Sequence, residues 1–529
     1  FGSSNNATNS GVRAPRSSPL RRTNLVAMSG QRHIVFLNIA ATGHMNPTLP
    51  LVAELVTRGC KVTYFVEATM QDVVEAAGAE WRPFRFAHAP ELSGMPHHMD
   101  EFGIAKLIPE GTPKDEYSAF PDCILYWAEQ MLPALIQDLH ALRPTPAALI
   151  YEPFLAAGRV AARVMGIPAI GMFTMPGPGV FVMPKAVSDA LEAKPWVEGP
   201  RRDMAEKYGL DVLENGMIME SYSPVENIVT TIDELFAPPS TEKQIKRFGH
   251  FPFTCVGVLM NAKVKRLNNA HVGTAVVAPK DAEKLTKKPL INSEISGPLP
   301  MERIQSAQLL GQKIIFVSLG TVATSVAFWE RPFGPFALAN DVVGKEEGRR
   351  SLSEYTGKDF CQHVWRTVFD AFGGDDAFLV IMALGPKEDA LEGLPLAPAN
   401  FLVRDAVPQI EVLSLCDAFV THGGANSMHE ALGLGVPLAV VPIFGDQPAN
   451  ADTVARSGAG VSFRNPLCTL SATSLRGAVT KLVESSDENP YRVAANAMKH
   501  KFKAAGGVPA AADIILKHAS TAASRLGGC

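Results

Sequence analysis

Cysteine is scarce in this sequence, and no two cysteines stand at a spacing that would make a site. The 529 residues include seven cysteines, and no pair follows the Cys-x-x-Cys pattern of zinc ribbons and dithiol redox centres. The sequence therefore gives no signal of a structural metal or of a redox site, and we expect no metal ion in its chemistry. An odd number of widely spaced cysteines is typical of proteins in reducing compartments.

The sequence also lacks a membrane-length apolar run and a strong charge of either sign. The best apolar candidate, residues 155–175, contains Arg159 and Arg163 and is interrupted by Gly166 and Pro168, unlike a typical spanning helix. The formal net charge is −4, which gives no electrostatic reason to expect nucleic acid as a partner. We therefore expect neither a membrane span nor nucleic-acid binding.

Residues 1–30 differ from the rest of the chain, because they are rich in Arg, Ser and Asn and contain no acidic residue. Such a composition is found in disordered tails and in organelle transit peptides. We expect this leader to lie outside the fold, which would begin near residue 31. The expected location is the cytoplasm, and an organelle such as the plastid is the alternative if the leader is a targeting segment.

Apolar runs alternate with helical patterns in both halves of the chain, which predicts an α/β protein with two parallel sheets. The strand-like runs of the first half lie at 33–40, 61–66, 147–151 and 169–173. Those of the second half lie at 314–320, 378–385, 418–424 and 438–444. Two such domains form a cleft, and ligands bind there beyond the carboxyl ends of the strands.

The composition between these runs predicts the domain organisation. Lys, Asn and Pro are frequent between the two halves, as in a linker, and an irregular stretch at 322–355 suggests an insertion. The expected segments are a leader at 1–30, an N-terminal domain at 31–260, a linker with an inserted loop near 265–298 at 261–312, a C-terminal domain at 313–500, and a helical tail at 501–529 that packs back on the N-terminal domain.

The strongest chemical signal is a glycine-rich turn, Thr-His-Gly-Gly-Ala-Asn-Ser, between a strand and a helix of the second half. Gly423 and Gly424 let backbone N–H groups approach a ligand closely, and the helix N-terminus adds partial positive charge. His422, Asn426 and Ser427 supply side-chain donors. Together these features predict a diphosphate site, and the alternative is a simple capped turn.

Carboxylates follow this turn along the chain. Glu430 lies about one helical turn beyond Ser427, where an acid can accept hydrogen bonds from ribose hydroxyls. Asp446 and Gln447 follow the next strand and are suited to hold sugar hydroxyls. The alternatives are an exposed helical acid for Glu430 and a helix N-cap for Asp446.

A histidine follows the first strand of the first half, in the segment Gly43-His44-Met45-Asn46-Pro47. A neutral imidazole at a strand end can take the proton of a hydroxyl, which is otherwise a poor nucleophile. The alternative is a histidine that only caps or packs.

These segments together resemble the UDP-glycosyltransferase family. The matching residues are Gly43 to Pro47, Ser318 to Thr321, Val407-Pro408-Gln409, the turn around Gly423, Glu430, Gly435-Val436-Pro437, Pro442 and Asp446-Gln447. The resemblance covers residues 31–85, 147–174 and most of 400–463. It implies the GT-B fold, in which two Rossmann-like domains face a cleft, with the acceptor in the first and the UDP-sugar mainly in the second.

The resemblance also implies a role for each matched residue. These roles are His44 as general base, Gln409 at the uracil edge, His422, Asn426 and Ser427 with the backbone of Gly423 and Gly424 at the diphosphate, Ser318 and Thr321 close to it, Glu430 at the ribose, and Asp446 and Gln447 at the sugar.

Two residues depart from the family pattern. The family usually has Asp where this chain has Glu152, and that acid orients the catalytic histidine. Glu152 keeps the charge but is longer by one methylene, so we expect it to assist His44 with altered geometry. Plant members have a tryptophan that stacks on uracil where this chain has Ala406, so we expect base stacking to be weaker or to come from another residue.

The expected reaction is therefore an inverting transfer of a hexose, glucose first, from a UDP-sugar co-substrate to a hydroxyl of a small acceptor, without a further cofactor. The acceptor loops at 86–117 and 177–223 are rich in Met, Phe and Pro, which favours a hydrophobic acceptor. A nicotinamide-linked dehydrogenase is disfavoured because no G-x-G-x-x-G follows the first strand. A nucleotide-sugar 2-epimerase of the same fold and a donor-binding pseudoenzyme stay open.

Overall fold

The computed structural model describes residues 31–86, 124–180, 195–212, 220–267, 297–334 and 351–526. The expected leader at 1–30 lies outside the described residues. So do most of the inserted loop near 265–298, the centre of the segment 322–355, and parts of the acceptor loops expected at 86–117 and 177–223.

The first domain is built on a parallel sheet that has seven strands in the described part of the chain. They are β1 (His33–Leu37), β2 (Lys61–Phe65), β3 (Glu80–Arg82), β4 (Ala148–Tyr151), β5 (Ala169–Phe173), β6 (Asn227–Val229) and β7 (Phe253–Cys255). Their order is β3-β2-β1-β4-β5-β6-β7, and neighbours are parallel. The order reverses between β1 and β4, so the loops after these two strands lie side by side.

The second domain contains a parallel sheet of six strands among the described residues. They are β8 (Lys313–Ser318), β9 (Phe378–Ala383), β10 (Phe401–Arg404), β11 (Ala418–Thr421), β12 (Leu438–Val440) and β13 (Gly460–Ser462). Their order is β10-β9-β8-β11-β12-β13, again with parallel neighbours. The reversal between β8 and β11 brings together the loops that follow these strands.

Helices cover both faces of each sheet. Those that begin in the first half of the chain are α1 (Thr42–Met45), α2 (Thr48–Thr57), α3 (Gln71–Ala76), α4 (Ile124–Ala141), α5 (Ala156–Met165), α6 (Pro195–Tyr208) and α7 (Glu242–Phe248). The later ones are α8 (Met301–Leu309), α9 (Val326–Trp329), α10 (Gly357–Phe372), α11 (Gln409–Leu415), α12 (Ala425–Leu434), α13 (Gln447–Arg456), α14 (Pro466–Thr469), α15 (Ala472–Val483), α16 (Pro490–Ala504) and α17 (Gly507–Leu526). Short 3-10 turns occur at Ala68–Met70, Pro178–Val180, Asp233–Leu235 and Leu352–Glu354. The α/β architecture predicted from the alternating pattern is confirmed.

The sheet faces explain why the strands read as continuous apolar runs. Successive side chains of β1 enter different cores, with Val35 in one and Ile34 in the other. In β8, Ile315 and Ile314 divide in the same way. Because parallel strands covered by helices are buried on both faces, they lack the alternation of a half-exposed strand.

Several strands are shorter than the apolar runs that predicted them. The run at 33–40 ends its pairing at Leu37, and the run at 314–320 ends at Ser318. Ile39 is buried although it lies beyond the strand. Apolar runs therefore mark burial, and the chain leaves the sheet before the run is over.

The last two helices belong to different domains. Phe502 of α16 is packed in a core of the second domain with Met428. Ala512 and Ile515 of α17 lie in the same core as the first strand of the first domain. The helix α17 thus covers part of the sheet that contains β1.

Candidate active site

His44 lies on α1, at the carboxyl end of β1. The buried Asn38 donates from Nδ2 to the His44 carbonyl at 2.9 Å and to the Tyr64 hydroxyl at 2.9 Å. The N–H groups of His44 and Met45 both bond to the carbonyl of Ala41 at 2.9 Å, so the segment that follows β1 is a helical turn. The imidazole therefore stands on a backbone fixed by buried hydrogen bonds.

Glu152 follows β4 and faces the His44 ring. His44 Nδ1 lies 3.3 Å from Glu152 Oε1, and the two side chains are 17% and 1% exposed. Glu152 Oε2 accepts a hydrogen bond from the Phe154 N–H at 2.6 Å, which fixes the carboxylate. Burial raises the pKa of Glu152, and the neighbouring His44 opposes that rise. The structure therefore brings together the two residues predicted to share proton transfer.

His422 is enclosed in the second domain between two glycines. Burial lowers the pKa of His422 to about 4, although its ring also bonds to the backbone carbonyl of Ser318. A Cβ atom on Gly320 would lie 2.4 Å from His422 Cε1, and one on Gly424 would lie 2.4 Å from Nε2. His422 is therefore neutral near pH 7, and its single N–H group is the one that the Ser318 carbonyl accepts, which leaves the other ring nitrogen as an acceptor.

The end of β8 and the loop after it contact the His422 ring. Gly320 adopts a φ of +76°, in the left-handed region that glycine occupies readily. Ser318 is buried, and its carbonyl faces His422 as described. Thr321 lies next to Gly320 and is half-buried, and its carbonyl accepts a bond from Thr324 Oγ1 at 3.4 Å. Ser318 and Thr321 thus belong to the loop beside the predicted diphosphate position.

The helix α12 begins directly after the two glycines. Gly423 adopts a φ of +82°, and Gly424 is the N-cap without a side-chain capping bond. Asn426 Nδ2 donates to the carbonyl of Gly43, which is the residue before His44. Asn426 was predicted to contact a diphosphate, and here it joins the donor loop to the loop of the predicted base.

Glu430 is 3% exposed on α12 and has two partners. Its Oε1 lies 2.5 Å from Arg266 Nη2, and its Oε2 accepts from Gln409 Nε2 at 2.7 Å. Gln409 Nε2 also lies 3.4 Å from Ser427 Oγ. Gln409 and Glu430, predicted at the uracil and the ribose, therefore form one hydrogen-bonded group with Ser427, which was predicted at the diphosphate.

Asp446 and Gln447 lie after β12, close to the same loop. The half-buried Asp446 accepts from Asn450 Nδ2 at 2.7 Å and from the Ala425 N–H. Burial raises the pKa of Asp446, these hydrogen bonds oppose the rise, and the charge of His44 opposes it as well. Gln447 is buried, and its Oε1 accepts from the Ile443 N–H at 2.9 Å.

Sequence reasoning missed three polar residues of this region. Arg266 pairs with Glu430, Asn450 bonds to Asp446 and to the Gly423 carbonyl at 2.9 Å, and Thr174 Oγ1 lies 3.5 Å from His44 Nδ1. Asn450 could have been found, because it lies four residues after Asp446 on a helix. Arg266 gave no such signal.

Within the described ranges, no group of three or more His, Cys, Asp or Glu residues is placed to hold a metal ion. None of the helices in those ranges combines the length and the hydropathy that crossing a bilayer requires.

Comparison with known proteins finds glycosyltransferases that are similar to this chain. Residues 366–517 match the family described as erythromycin biosynthesis protein CIII-like, C-terminal domain. The chain is 26% identical to the NDP-glycosyltransferase YjiC of Bacillus licheniformis, over 92% of this chain and 97% of that protein. It is 24% identical to the oleandomycin glycosyltransferase of Streptomyces antibioticus, over 91% of this chain and 90% of that protein.

A solved structure supports the same fold. The crystal structure of the glycotransferase of kitacinnamycin aligns with a TM-score of 0.60 and 23% identity, over 92% of this chain and 99% of that one. The two parallel-sheet domains described above are the GT-B architecture that the motifs implied. The chain is therefore a glycosyltransferase with the GT-B fold, and its resemblance to glycosyltransferases of the natural-product type extends over most of its length.

Proposed function

We propose that this chain transfers a hexose, most simply glucose, from a UDP-sugar to a hydroxyl of a small hydrophobic acceptor, with inversion at the anomeric carbon. The observation that carries the proposal is the position of His44, which is 3.3 Å from a buried carboxylate and follows a residue bonded to the donor loop. His44 thus lies between the first domain and the donor loop, where a base could contact an acceptor that is positioned beside the donor sugar.

His44 acts as the general base. With Nδ1 directed at Glu152, the opposite ring nitrogen, Nε2, is the one that takes the acceptor proton. The acceptor oxygen then forms a bond to the anomeric carbon, while the bond from that carbon to the diphosphate oxygen breaks and its electron pair leaves with UDP. The proton remains on His44, where the carboxylate of Glu152 stabilises the imidazolium.

The donor loop stabilises the leaving diphosphate. The backbone N–H groups that follow Gly423 and the helix N-terminus of α12 provide fixed dipoles, and the neutral ring of His422 can add its one N–H group only by releasing the Ser318 carbonyl. Glu430 contacts the ribose, and Asp446 with Gln447 contacts the transferred sugar. No metal ion or further cofactor enters this scheme.

The test is UDP release from UDP-glucose in the presence of a panel of hydrophobic hydroxyl acceptors, with products identified by mass and anomeric configuration. We expect UDP only when donor and acceptor are both present, and a β-glycoside from an α-linked donor. UDP formation without acceptor, together with a sugar altered at C2, would indicate an epimerase. UDP-glucose binding without turnover of any acceptor would indicate a pseudoenzyme.

Replacing His44 with Ala tests the base. We expect turnover to fall about 100- to 10,000-fold, while UDP affinity stays within about twofold because His44 lies in the other domain from the donor loop. The exposed His500→Ala on α16 is the matched control and should leave both quantities unchanged. Full activity of His44→Ala with a hydroxyl acceptor would show that another group is the base.

A further inference from the structure

The two oxygens of the Glu430 carboxylate have different partners, so they differ in how readily a ligand can displace those partners. Oε1 faces the Arg266 guanidinium at 2.5 Å, and Oε2 faces the Gln409 amide at 2.7 Å. The first contact joins two full charges, whereas the second joins a charge to a neutral donor. The Glu430 side chain is 4% exposed and that of Arg266 is 20% exposed, so water screens this ion pair only partly.

Arg266 is held in place by its neighbour in the chain. The Leu267 N–H donates to Asn46 Oδ1 at 2.9 Å, and Leu267 is buried in the core of the first domain. Asn46 lies two residues after His44, on the loop of the proposed base. The guanidinium therefore reaches Glu430 from a backbone fixed on the far side of the cleft.

A ribose offers two neighbouring hydroxyls, and a carboxylate with both oxygens free can accept one hydrogen bond at each. The Gln409 amide and a ribose hydroxyl are both neutral donors to a carboxylate, so a hydroxyl can replace the amide at Oε2 without loss of a charge pair. Separating a buried ion pair costs more free energy than a single hydrogen bond from a hydroxyl contributes. The contact of Arg266 with Oε1 is therefore expected to persist when the nucleotide binds.

We propose that Arg266 is a specificity-determining residue of the donor site, which limits Glu430 to reading one ribose hydroxyl. Oε2 accepts that hydroxyl, and Oε1 stays with Arg266. The second hydroxyl makes no contact with Glu430, so a donor that lacks it binds as well as the ribonucleotide. This inference rests on the proposed contact between Glu430 and the ribose.

The experiment is calorimetry of the full chain with UDP, 2′-deoxy-UDP and 3′-deoxy-UDP. In the unmodified protein we expect one deoxynucleotide to bind within about twofold of UDP, and the other about ten- to hundredfold more weakly, as for loss of a hydrogen bond to a charged group. In Arg266→Ala, Oε1 is free to accept the second hydroxyl, so both deoxynucleotides should bind about tenfold more weakly than UDP.

Two variants serve as controls. Arg266→Lys keeps a cation at Oε1, so one deoxynucleotide should still bind like UDP and the other more weakly. If Arg266 were only structural, its removal would not change how many ribose hydroxyls contribute to affinity. Lys265→Ala removes the exposed neighbouring charge and should also keep it. Affinities are compared within each variant, so a general loss of stability does not alter the ratio.

The outcomes separate this inference from the proposed function. Unchanged UDP affinity in Glu430→Gln, or no UDP binding at all, would mean that the donor assignment itself is wrong. Suppose that Glu430→Gln lowers the affinity for UDP, but that the unmodified protein binds both deoxynucleotides more weakly than UDP, or neither. The donor assignment then stands, and the role proposed for Arg266 is wrong. An Arg266→Ala variant with the unmodified pattern would overturn it too.

Discussion

Replacing Glu152 with Gln removes the negative charge beside His44 and keeps the side-chain size. Two unit charges separated by the observed 3.3 Å attract by about 5 kcal/mol at an effective dielectric constant of about 20. If about half of the proton has moved at the transition state, the carboxylate contributes about 2.5 kcal/mol, or about a 70-fold higher kcat. Glu152 is 1% exposed, so solvent does little to replace the lost charge.

Glu152→Asp is the matched variant, because it keeps the charge and shortens the arm. Withdrawing the carboxylate by about one C–C bond, roughly 1.5 Å, lowers the attraction to about 3.5 kcal/mol. With the same half-moved proton, the loss is about 0.8 kcal/mol, or about a fourfold lower kcat. The Gln variant should therefore be the more damaged of the two by more than tenfold.

The assay is turnover at saturating donor and acceptor, with thermal melting as the check on folding. Since Gln removes a buried charge, we expect its melting temperature to be no lower than that of the unmodified protein. UDP affinity should be the same in both variants. If Glu152→Gln turns over at the unmodified rate while His44→Ala is inactive, another group orients His44 and the reasoning is refuted.

Two further predictions concern buried groups. Gly320→Ala should lower the free energy of unfolding by about 1–3 kcal/mol more than Gly311→Ala, because the Cβ added at Gly320 would lie 2.4 Å from His422. Gly311 is the control, since it has a similar φ of +71° and no atom within 4 Å of an added Cβ. Chemical denaturation measures both variants, and equal losses would contradict the steric argument. Burial lowers the pKa of His429 to about 3, so the unfolded chain binds its proton first and stability is lost as pH falls from about 6.5 towards 3, by about 2 kcal/mol at pH 5. His429→Gln should remove that part of the pH 7 to pH 5 difference in denaturation midpoint, and an unchanged difference would contradict the assignment.

The fold and the neighbourhood of the site could be predicted because both rest on local patterns. Alternating strands and helices predict parallel sheets, and loops at the carboxyl ends of strands meet where the strand order reverses. His44 and Glu152 follow β1 and β4, which are neighbours at such a reversal. Their approach to 3.3 Å follows from the topology once the two loops have been recognised.

The contacts that cross the cleft could not be predicted in the same way. Arg266 and Glu430 are 164 residues apart in sequence, and Asn426 and Gly43 are 383 apart. No periodicity relates such positions, because their distance depends on how the two sheets are oriented. Asn426 shows the result, since a side chain expected to point at a ligand also bonds to the opposite loop.

The position of α17 has a consequence for how the protein is made. Ala511, Ala512 and Ile515 of this helix are fully buried in a core that also contains Ile34 and Phe36 of β1. A ribosome delivers these residues only after the strands of the second domain have been made. Domains of a growing chain usually fold in the order of their synthesis, but here part of one apolar sheet face of the first domain stays uncovered until α17 has been made. Nascent chains should therefore expose that part of the face to chaperones, and deletions within α17 should damage the first domain, although α17 follows the second domain in sequence.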